Sequence, residues 1–251
     1  MVNTDEQKIA VVTGGASGLG YAIASKFASN NIKAIIVGRN EARLKKACES
    51  IGENAEYIRC DVTDFPSLPG LVDSIINKYG KIDILVNNAG INLKKPLLDV
   101  TDDDFQLVIL TNTNAVFSLT REVFRVMKKR KSGSVLNISS MAAQYGIPLV
   151  IAYSAAKSAI EGMTRAMAVE VAPDGIRVNC IAPGFIRTKM SGKALDDDPE
   201  RKRKVLSRTP MGRLGTPDEV ADAAFYLTSD FASFITGVVL PVDGGNLIGF
   251  S

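Results

Sequence analysis

Ile9-Ala10-Val11-Val12-Thr13-Gly14-Gly15-Ala16-Ser17-Gly18-Leu19-Gly20 is the stretch on which the fold turns. Its first residues form a short apolar run of the kind a buried strand shows, and the run ends in a glycine cluster. Helix formers follow over 21–29, with apolar positions at Ile23 and Phe27. Strand, glycine turn and helix N-terminus together make an anion site. Glycine lets a phosphate approach backbone N–H groups that also carry the positive end of the helix dipole. The spacing Gly14-x3-Gly18-x-Gly20 differs from the common Gly-x-Gly-x2-Gly dinucleotide fingerprint, and a glycine-rich turn alone suits an ordinary loop as well. Its place between a strand and a helix favours the dinucleotide.

Outward from that unit, a second strand is expected over 33–38 and a helix over 40–51. In a dinucleotide-binding unit an acidic residue beyond the glycines holds the ribose 2′-hydroxyl and marks NAD. Here Gly38 and Arg39 stand at that place. With no carboxylate to repel a 2′-phosphate, and with a guanidinium able to grip it, NADP(H) is expected in preference to NAD(H). Arg39 as plain surface charge at a strand end is the alternative; Glu41 lies close by, and Ser17 adds no second positive charge in the glycine turn.

The alternation continues with strands over 55–61, 82–87, 134–139, 177–182 and 237–242. Helices are expected over 65–79, over 101–131 with Asn112 inside, from Tyr153 to 171, and from Thr216-Pro217-Asp218-Glu219 to about 228. Regular βα alternation with right-handed crossovers specifies an α/β fold, a Rossmann-type doubly wound parallel sheet with helices on both faces. With no repeat beyond the alternation and no linker, one domain over 1–251 is expected. The polar segment 189–208, with Asp196-Asp197-Asp198-Pro199 at its centre, is a candidate substrate lid; a plain surface excursion is the other reading. Ligands of such sheets bind beyond the carboxyl ends of the strands. The glycine turn, Asp61, the run from Asn87, Ser139-Ser140 and Pro183-Gly184 all follow strands.

One pentapeptide near that edge carries chemistry: Tyr153-Ser154-Ala155-Ala156-Lys157, with Ser140 upstream. On a helix Tyr153 and Lys157 share a face one turn apart. A phenol is a poor base at neutral pH, but a fixed cation beside it stabilises the phenolate, so the pair could move a proton to or from an oxygen. An amphipathic helix with a packed Tyr and an exposed Lys gives the same spacing.

Composition removes other classes. The 251 residues contain no histidine, which excludes Ser-His-Asp and Cys-His mechanisms. Cys48, Cys60 and Cys180 are widely spaced, with neither metal-site spacing nor a disulfide framework, so no metal is expected. A net charge of +3 is too small to argue for nucleic acid. The basic runs Lys128-Lys129-Arg130-Lys131 and Arg201-Lys202-Arg203-Lys204 lack interleaved aromatics. The polar, acidic opening Met1 to Glu6 and the lack of a long apolar run lead to the expectation of a soluble cytoplasmic protein without membrane partners.

Taken together, these motifs resemble the short-chain dehydrogenase/reductase family in its single-domain form, over essentially the whole chain. Thr13-Gly14-x3-Gly18-x-Gly20 is similar to the family's cofactor-binding motif, and Asn87-Asn88-Ala89-Gly90 to its structural motif after the fourth strand. Ser140, Tyr153 and Lys157 match the catalytic Ser and Tyr-x3-Lys, and Asn112 matches the fourth catalytic member. Asn114 and Ser139 are neighbouring candidates that family spacing disfavours. By the same resemblance Gly14, Ser17, Gly18, Leu19 and Gly20 hold the cofactor, Asp61-Val62 contacts adenine, and Asn88, Ala89 and Gly90 line the site. Pro183, Gly184, Ile186 and Thr188 belong to the segment that holds the nicotinamide. Many NADP-preferring members have a basic residue where Ser17 stands, so Arg39 carries that preference alone in this reading.

The resemblance implies interconversion of a secondary alcohol and a ketone. Tyr153 acts as acid/base, and Lys157 lowers its pKa and holds the nicotinamide ribose. Ser140 bonds the substrate oxygen and Asn112 supports a water. Local texture is similar to gluconate 5-dehydrogenases, so a polyol or sugar acid such as gluconate is the first expectation, with Lys94, Lys95 or Lys189 to meet a carboxylate. A 3-oxoacyl-acyl-carrier-protein reductase is the alternative, and an inactive cofactor-sensing or interaction protein the alternative of another class. A homotetramer is implied by the resemblance alone.

Overall fold

In a computed structural model, residues 7–188 and 197–249 are described. Seven strands form one parallel sheet: β1 (Ile9–Thr13), β2 (Lys33–Gly38), β3 (Ala55–Arg59), β4 (Ile84–Asn87), β5 (Gly133–Ile138), β6 (Ile176–Pro183) and β7 (Val239–Val242). Their spatial order is β3-β2-β1-β4-β5-β6-β7. The chain winds outward from β1 to β3, returns across β1 to β4, and then winds the other way. The crevice between the carboxyl ends of β1 and β4 is therefore the switch point where such sheets bind ligands.

Alternation along the strands builds two cores. From β1, Ala10 and Val12 face one side with Ile36, Val86, Leu136 and Ile181, while Ile9 and Val11 face the other with Ile35, Val37, Leu85, Val135 and Val178. Helices α1 (Gly18–Ser29), α2 (Glu41–Ile51) and α8 (Pro217–Thr228) cover the first side through Ile23, Phe27, Leu44, Val220 and Leu227. Helices α3 (Leu68–Tyr79), α5 (Ala115–Arg130) and α6 (Ile151–Val171) cover the second through Leu71, Ile75, Leu119, Val123 and Ala168. Burial on both faces is why the strands read as continuous apolar runs rather than alternating ones. Phe27 is fully buried, and its truncation to Ala would cost ~3–5 kcal/mol.

Most element boundaries shift by a few residues from the sequence expectation, and three of the differences bear on the site. Helix α1 begins at Gly18 rather than Tyr21, so the last two glycines of the motif form its first turn. Strand β3 stops at Arg59, which leaves Asp61 in the following loop, where it accepts from the Thr63 amide and hydroxyl. The long helix over 101–131 is broken into α4 (Asp102–Ile109), a five-residue π turn (Leu110–Asn114) and α5. Asn112 lies in that wide turn, fully buried and bonded to a neighbouring loop, a pull that outweighs the good helix formers on either side.

Of the expected lid, 189–196 lies outside the described residues, as does Lys189. Its later part holds helix α7 (Pro199–Ser207). Among the described residues, no helix is long and apolar enough to cross a membrane.

Candidate active site

The floor of the crevice is a hydrogen-bonded knot between β1 and β4. The Thr13 hydroxyl donates to the Val86 carbonyl at 3.2 Å and accepts from the Asn88 and Ala89 amides, each at 3.0 Å. Asn88 Nδ2 donates to the Thr13 carbonyl at 2.9 Å and to the Gly14 carbonyl at 3.3 Å. Gly14 takes a φ of +67°, and a Cβ there would meet Asn88 Nδ2 at 2.9 Å. At Gly20 a Cβ would fall 2.5 Å from both Asn88 Nδ2 and the Gly14 carbonyl oxygen. The glycines are thus required by close backbone approach, and the backbone they expose forms a cradle.

The first turn of α1 closes that cradle. Ser17 is its N-cap in extended conformation and makes no side-chain capping bond, so the hydroxyl leaves the N–H groups of Gly18, Leu19 and Gly20 to another acceptor. Gly18 has a φ of +56°, and a Cβ on it would come within 3.9 Å of Thr188 Cγ2, which places Thr188 opposite the turn. Thr188 is brought there by the segment after β6. Pro183 ends the strand and the Gly184 amide donates to Val242. Gly184 passes so close to Asp243 that a Cβ would lie 2.6 Å from the Asp243 Cβ, and Ile186 is buried and bridges to Gly215.

Beyond the cradle, at the end of β2, a cavity of about 530 Å³ is lined by Arg39, Arg59, Asp61, Asp64, Ser67 and Ser74, among others. Arg39 Nη1 stands 3.9 Å from Asp61 Oδ2, and the Arg39 side chain is mostly exposed. Burial raises the Asp61 carboxyl, but the Thr63 amide and hydroxyl and the Arg39 guanidinium together bring it below its ordinary value. Val62 packs into the core beneath. Arg59 escaped the sequence reading. Parallel pairing sets Gly38 beside Arg59, so two strand ends bring two guanidinium-bearing residues to one cavity. An uncapped, glycine-lined first turn and a cavity one strand away that mixes Arg39 and Arg59 with Asp61 and Asp64 fit a dinucleotide.

The second cluster gathers beyond β5. Lys157, buried on α6, donates from Nζ to the Ile138 carbonyl at 2.6 Å and lies 5.6 Å from the centre of the Tyr153 ring. Tyr153 packs beside Ile91, Leu93, Phe105 and Val108, and among the described residues none hydrogen-bonds its hydroxyl. Ser140 caps a short 3-10 turn (Met141–Ala143), accepting from the Ala142 amide at 3.2 Å. Ser139, by contrast, is buried and its hydroxyl donates to Glu161 at 2.8 Å. Of the two neighbouring serines, Ser139 has its hydroxyl taken up by Glu161, whereas Ser140 is half-buried and caps the turn. Asn112 is separated from Asn114 in the same way: Asn114 is exposed, whereas Asn112 accepts from the Ile91 amide and donates to the Ile91 carbonyl, both at 2.8 Å. Gly90 fits beside it, since a Cβ would sit 3.1 Å from Asn112 Oδ1.

A cavity of about 450 Å³ opens at the start of α6, where Ile151 and Ser154 line it. Its wall is largely apolar, with Leu97, Ala143, Ile147, Pro148, Leu149 and Ile151, and polar groups from Gln144, Tyr145 and Ser154. The cavity also touches Lys95, but that ammonium pairs with Asp104 at 2.6 Å; Lys94 is exposed. Across its rim the Lys95 amide donates to the Leu149 carbonyl, and Leu149 holds a left-handed φ of +70°. Arg208, at the end of α7, stacks 4.0 Å over the Tyr145 ring. The Tyr145 hydroxyl donates to Asn246 at 2.6 Å. No sequence pattern announced these loop residues.

The chain is similar to known proteins over nearly its whole length. Residues 14–246 match a family model described as Enoyl-(Acyl carrier protein) reductase. The 3-oxoacyl-[acyl-carrier-protein] reductase FabG of Thermotoga maritima is 40% identical over 247 residues, covering 97% of this chain and 99% of its own. A putative gluconate dehydrogenase from Agrobacterium tumefaciens superposes with a TM-score of 0.94 at 34% identity, covering 98% of each chain. ElxO with NADP bound superposes at 0.90 with 35% identity, over 96% of this chain and 99% of its own.

Proposed function

The chain belongs to the short-chain dehydrogenase/reductase family and is an oxidoreductase of CH–OH groups; from that premise we propose that it is an NADP(H)-dependent ketone reductase acting on 3-oxoacyl thioesters. The observation that carries the substrate reading is the wall of the 450 Å³ cavity, which offers an acyl chain apolar side chains at the start of the helix that carries Tyr153. Of the cations at its rim, Lys95 is paired with Asp104 and Arg208 is stacked on Tyr145, which leaves an apolar wall to dominate the cavity. The 40% identity to FabG supports the same reading. A polyol or sugar acid such as gluconate is the second reading, favoured by the close superposition on the putative gluconate dehydrogenase.

Gly14, Ser17, Gly18, Leu19 and Gly20 hold the dinucleotide phosphates, with Thr188 opposite. Asp61 and Val62 contact adenine; Asn88, Ala89 and Gly90 line the site, and Pro183, Gly184 and Ile186 carry the nicotinamide segment. Arg39, joined by Arg59, takes the 2′-phosphate, which is the basis for preferring NADP(H). When bound, the nicotinamide supplies or accepts the hydride. Ser140 donates to the substrate oxygen and fixes the carbonyl. Tyr153 protonates that oxygen during reduction, or takes the proton from the alcohol in reverse. Lys157, anchored to Ile138, keeps a positive charge next to the phenol. The Asn112 amide is engaged by Ile91, which leaves its main chain to hold the expected water. Exposed Leu107, Phe117, Val169, Phe231 and Phe234 support a homotetramer.

NADPH oxidation with 3-oxoacyl thioesters, run beside NADP reduction with gluconate, glucose and simple secondary alcohols, tests the reading. Thioester turnover at least ~100-fold more efficient than any polyol is expected, a gap of about 2.7 kcal/mol. Efficient gluconate oxidation with slow thioester reduction would replace the first reading by the second.

A further inference from the structure

Glu161 has no part in the chemistry just described, yet the residue is only 7% exposed and stands one helical turn beyond Lys157 and two beyond Tyr153. Burying a carboxyl is costly unless its oxygens are bonded. Both are. Oε1 accepts from the Ser139 hydroxyl at 2.8 Å, and Oε2 accepts from Gln144 Nε2 at 2.5 Å. Those donors flank one short segment, 139–144, which contains Ser140 and its 3-10 turn. The segment reaches the substrate cavity through Gln144, while Lys157 secures the residue before it through the Ile138 carbonyl.

We propose that Glu161 is a positioning residue: by bridging Ser139 and Gln144 it clamps the 139–144 segment onto α6 and holds Ser140 in register with Tyr153 and Lys157. The inference rests on the assignment of those three residues to catalysis. A strand end and a helix face are separate elements, and without a bridge the loop joining them is free to shift. Displacement of a positioning group by about 1 Å costs ~100-fold in rate. Glu161 touches neither the glycine cradle nor Arg39, so cofactor binding is independent of it.

Glu161→Leu keeps the bulk and removes both acceptors. For this variant kcat for ketone reduction is expected to fall ~10- to 100-fold, with the KM for NADPH within ~3-fold of wild type. Glu161→Gln is expected to restore kcat to within ~3-fold, because a carboxamide can accept from Ser139 and donate to Gln144 once that amide turns over. If Glu161→Leu does not fold, Ser139→Ala tests the same bridge and should lower kcat by ~3-fold or more with the NADPH KM unchanged. Wild-type kcat in Glu161→Leu and Ser139→Ala would overturn the inference. So would a loss of NADPH affinity as large as the loss of kcat, or a Gln variant as impaired as the Leu variant. Tyr153→Phe run alongside separates the two levels: near-normal turnover there would overturn the catalytic assignment itself.

Discussion

Gly20→Ala should damage stability and cofactor binding together, by an amount the geometry bounds. The added methyl would stand 2.5 Å from the Gly14 carbonyl oxygen and 2.5 Å from Asn88 Nδ2, and ordinary contact begins near 3.4 Å. The groups must separate by several tenths of an ångström at least. Gly14 cannot yield easily, because its amide donates to Val37 and its φ of +67° is fixed by the turn. Asn88 can move only by loosening its bonds to the Thr13 and Gly14 carbonyls. Overpacking of this kind costs ~1–3 kcal/mol, the size expected for losing one or two such bonds at ~1 kcal/mol each. For a chain of this length that lowers Tm by roughly 2–4 °C per kcal/mol. Because the displaced carbonyl belongs to the phosphate cradle, the KM for NADPH should rise at least ~10-fold. Gly70→Ala is the internal control for stability alone, since Gly70 borders the Arg39 cavity. It lies in α3 with nothing within 4 Å of a Cβ, and should leave Tm unchanged or raise it slightly, by ~0.5–1 kcal/mol of stability. Thermal denaturation and steady-state kinetics of both variants decide the matter. A Gly20→Ala protein with wild-type Tm and NADPH KM would refute the close-approach reasoning.

Arg39→Ala should raise the KM for NADP(H) roughly 10- to 100-fold, the value of a lost charge-assisted bond, while moving that for NAD(H) by less than ~3-fold; equal changes would remove its assigned role. Glu219 closes the capping box of α8, and donation from Arg213 and from the Thr216 amide lowers its carboxyl from 4.5 to about 2. Because the folded value is the lower one, the stabilisation is complete above about pH 4.5 and is lost as pH falls toward 2. Acid titration of Glu219→Gln should therefore lack that part of the transition, and since the pair is exposed, salt should shrink the difference. The same slope in both proteins would count against the cap. The Cys180 thiol is pushed up to about 12, first by burial and then by the Glu161 carboxylate. Mass spectrometry after alkylation near pH 8 should find Cys180 modified only in denaturant, and native labelling would contradict its burial.

Much of this was legible before any coordinates. Apolar runs buried on both faces name a parallel sheet, and a glycine turn after the first of them locates the cofactor cradle. Tyr153 and Lys157 declare themselves by helical spacing once a dinucleotide site stands upstream. What stayed hidden depends on contacts between distant segments. The π turn at Asn112 arises from Ile91, twenty-one residues away, and no local propensity marks it. Arg59 joins Arg39 at one cavity only through the register of β3 against β2. Family spacing already prefers Ser140 to Ser139, but that Ser139 is bonded to Glu161 shows only in the fold, and the wall of the 450 Å³ cavity is made of loops whose side chains follow no period. Lys95 reads as a free cation in the sequence and is an ion pair in the fold.

The central claim is that Tyr153 is the proton donor of a nicotinamide-dependent reduction. Turnover of Tyr153→Phe, measured with NADPH and the best ketone while NADPH binding is followed by fluorescence, tests it most directly. Loss of the general acid predicts a fall in kcat of ~100- to 10,000-fold with the NADPH Kd within ~3-fold of wild type. A Phe variant that binds NADPH normally and still turns over near the wild-type rate would contradict the account.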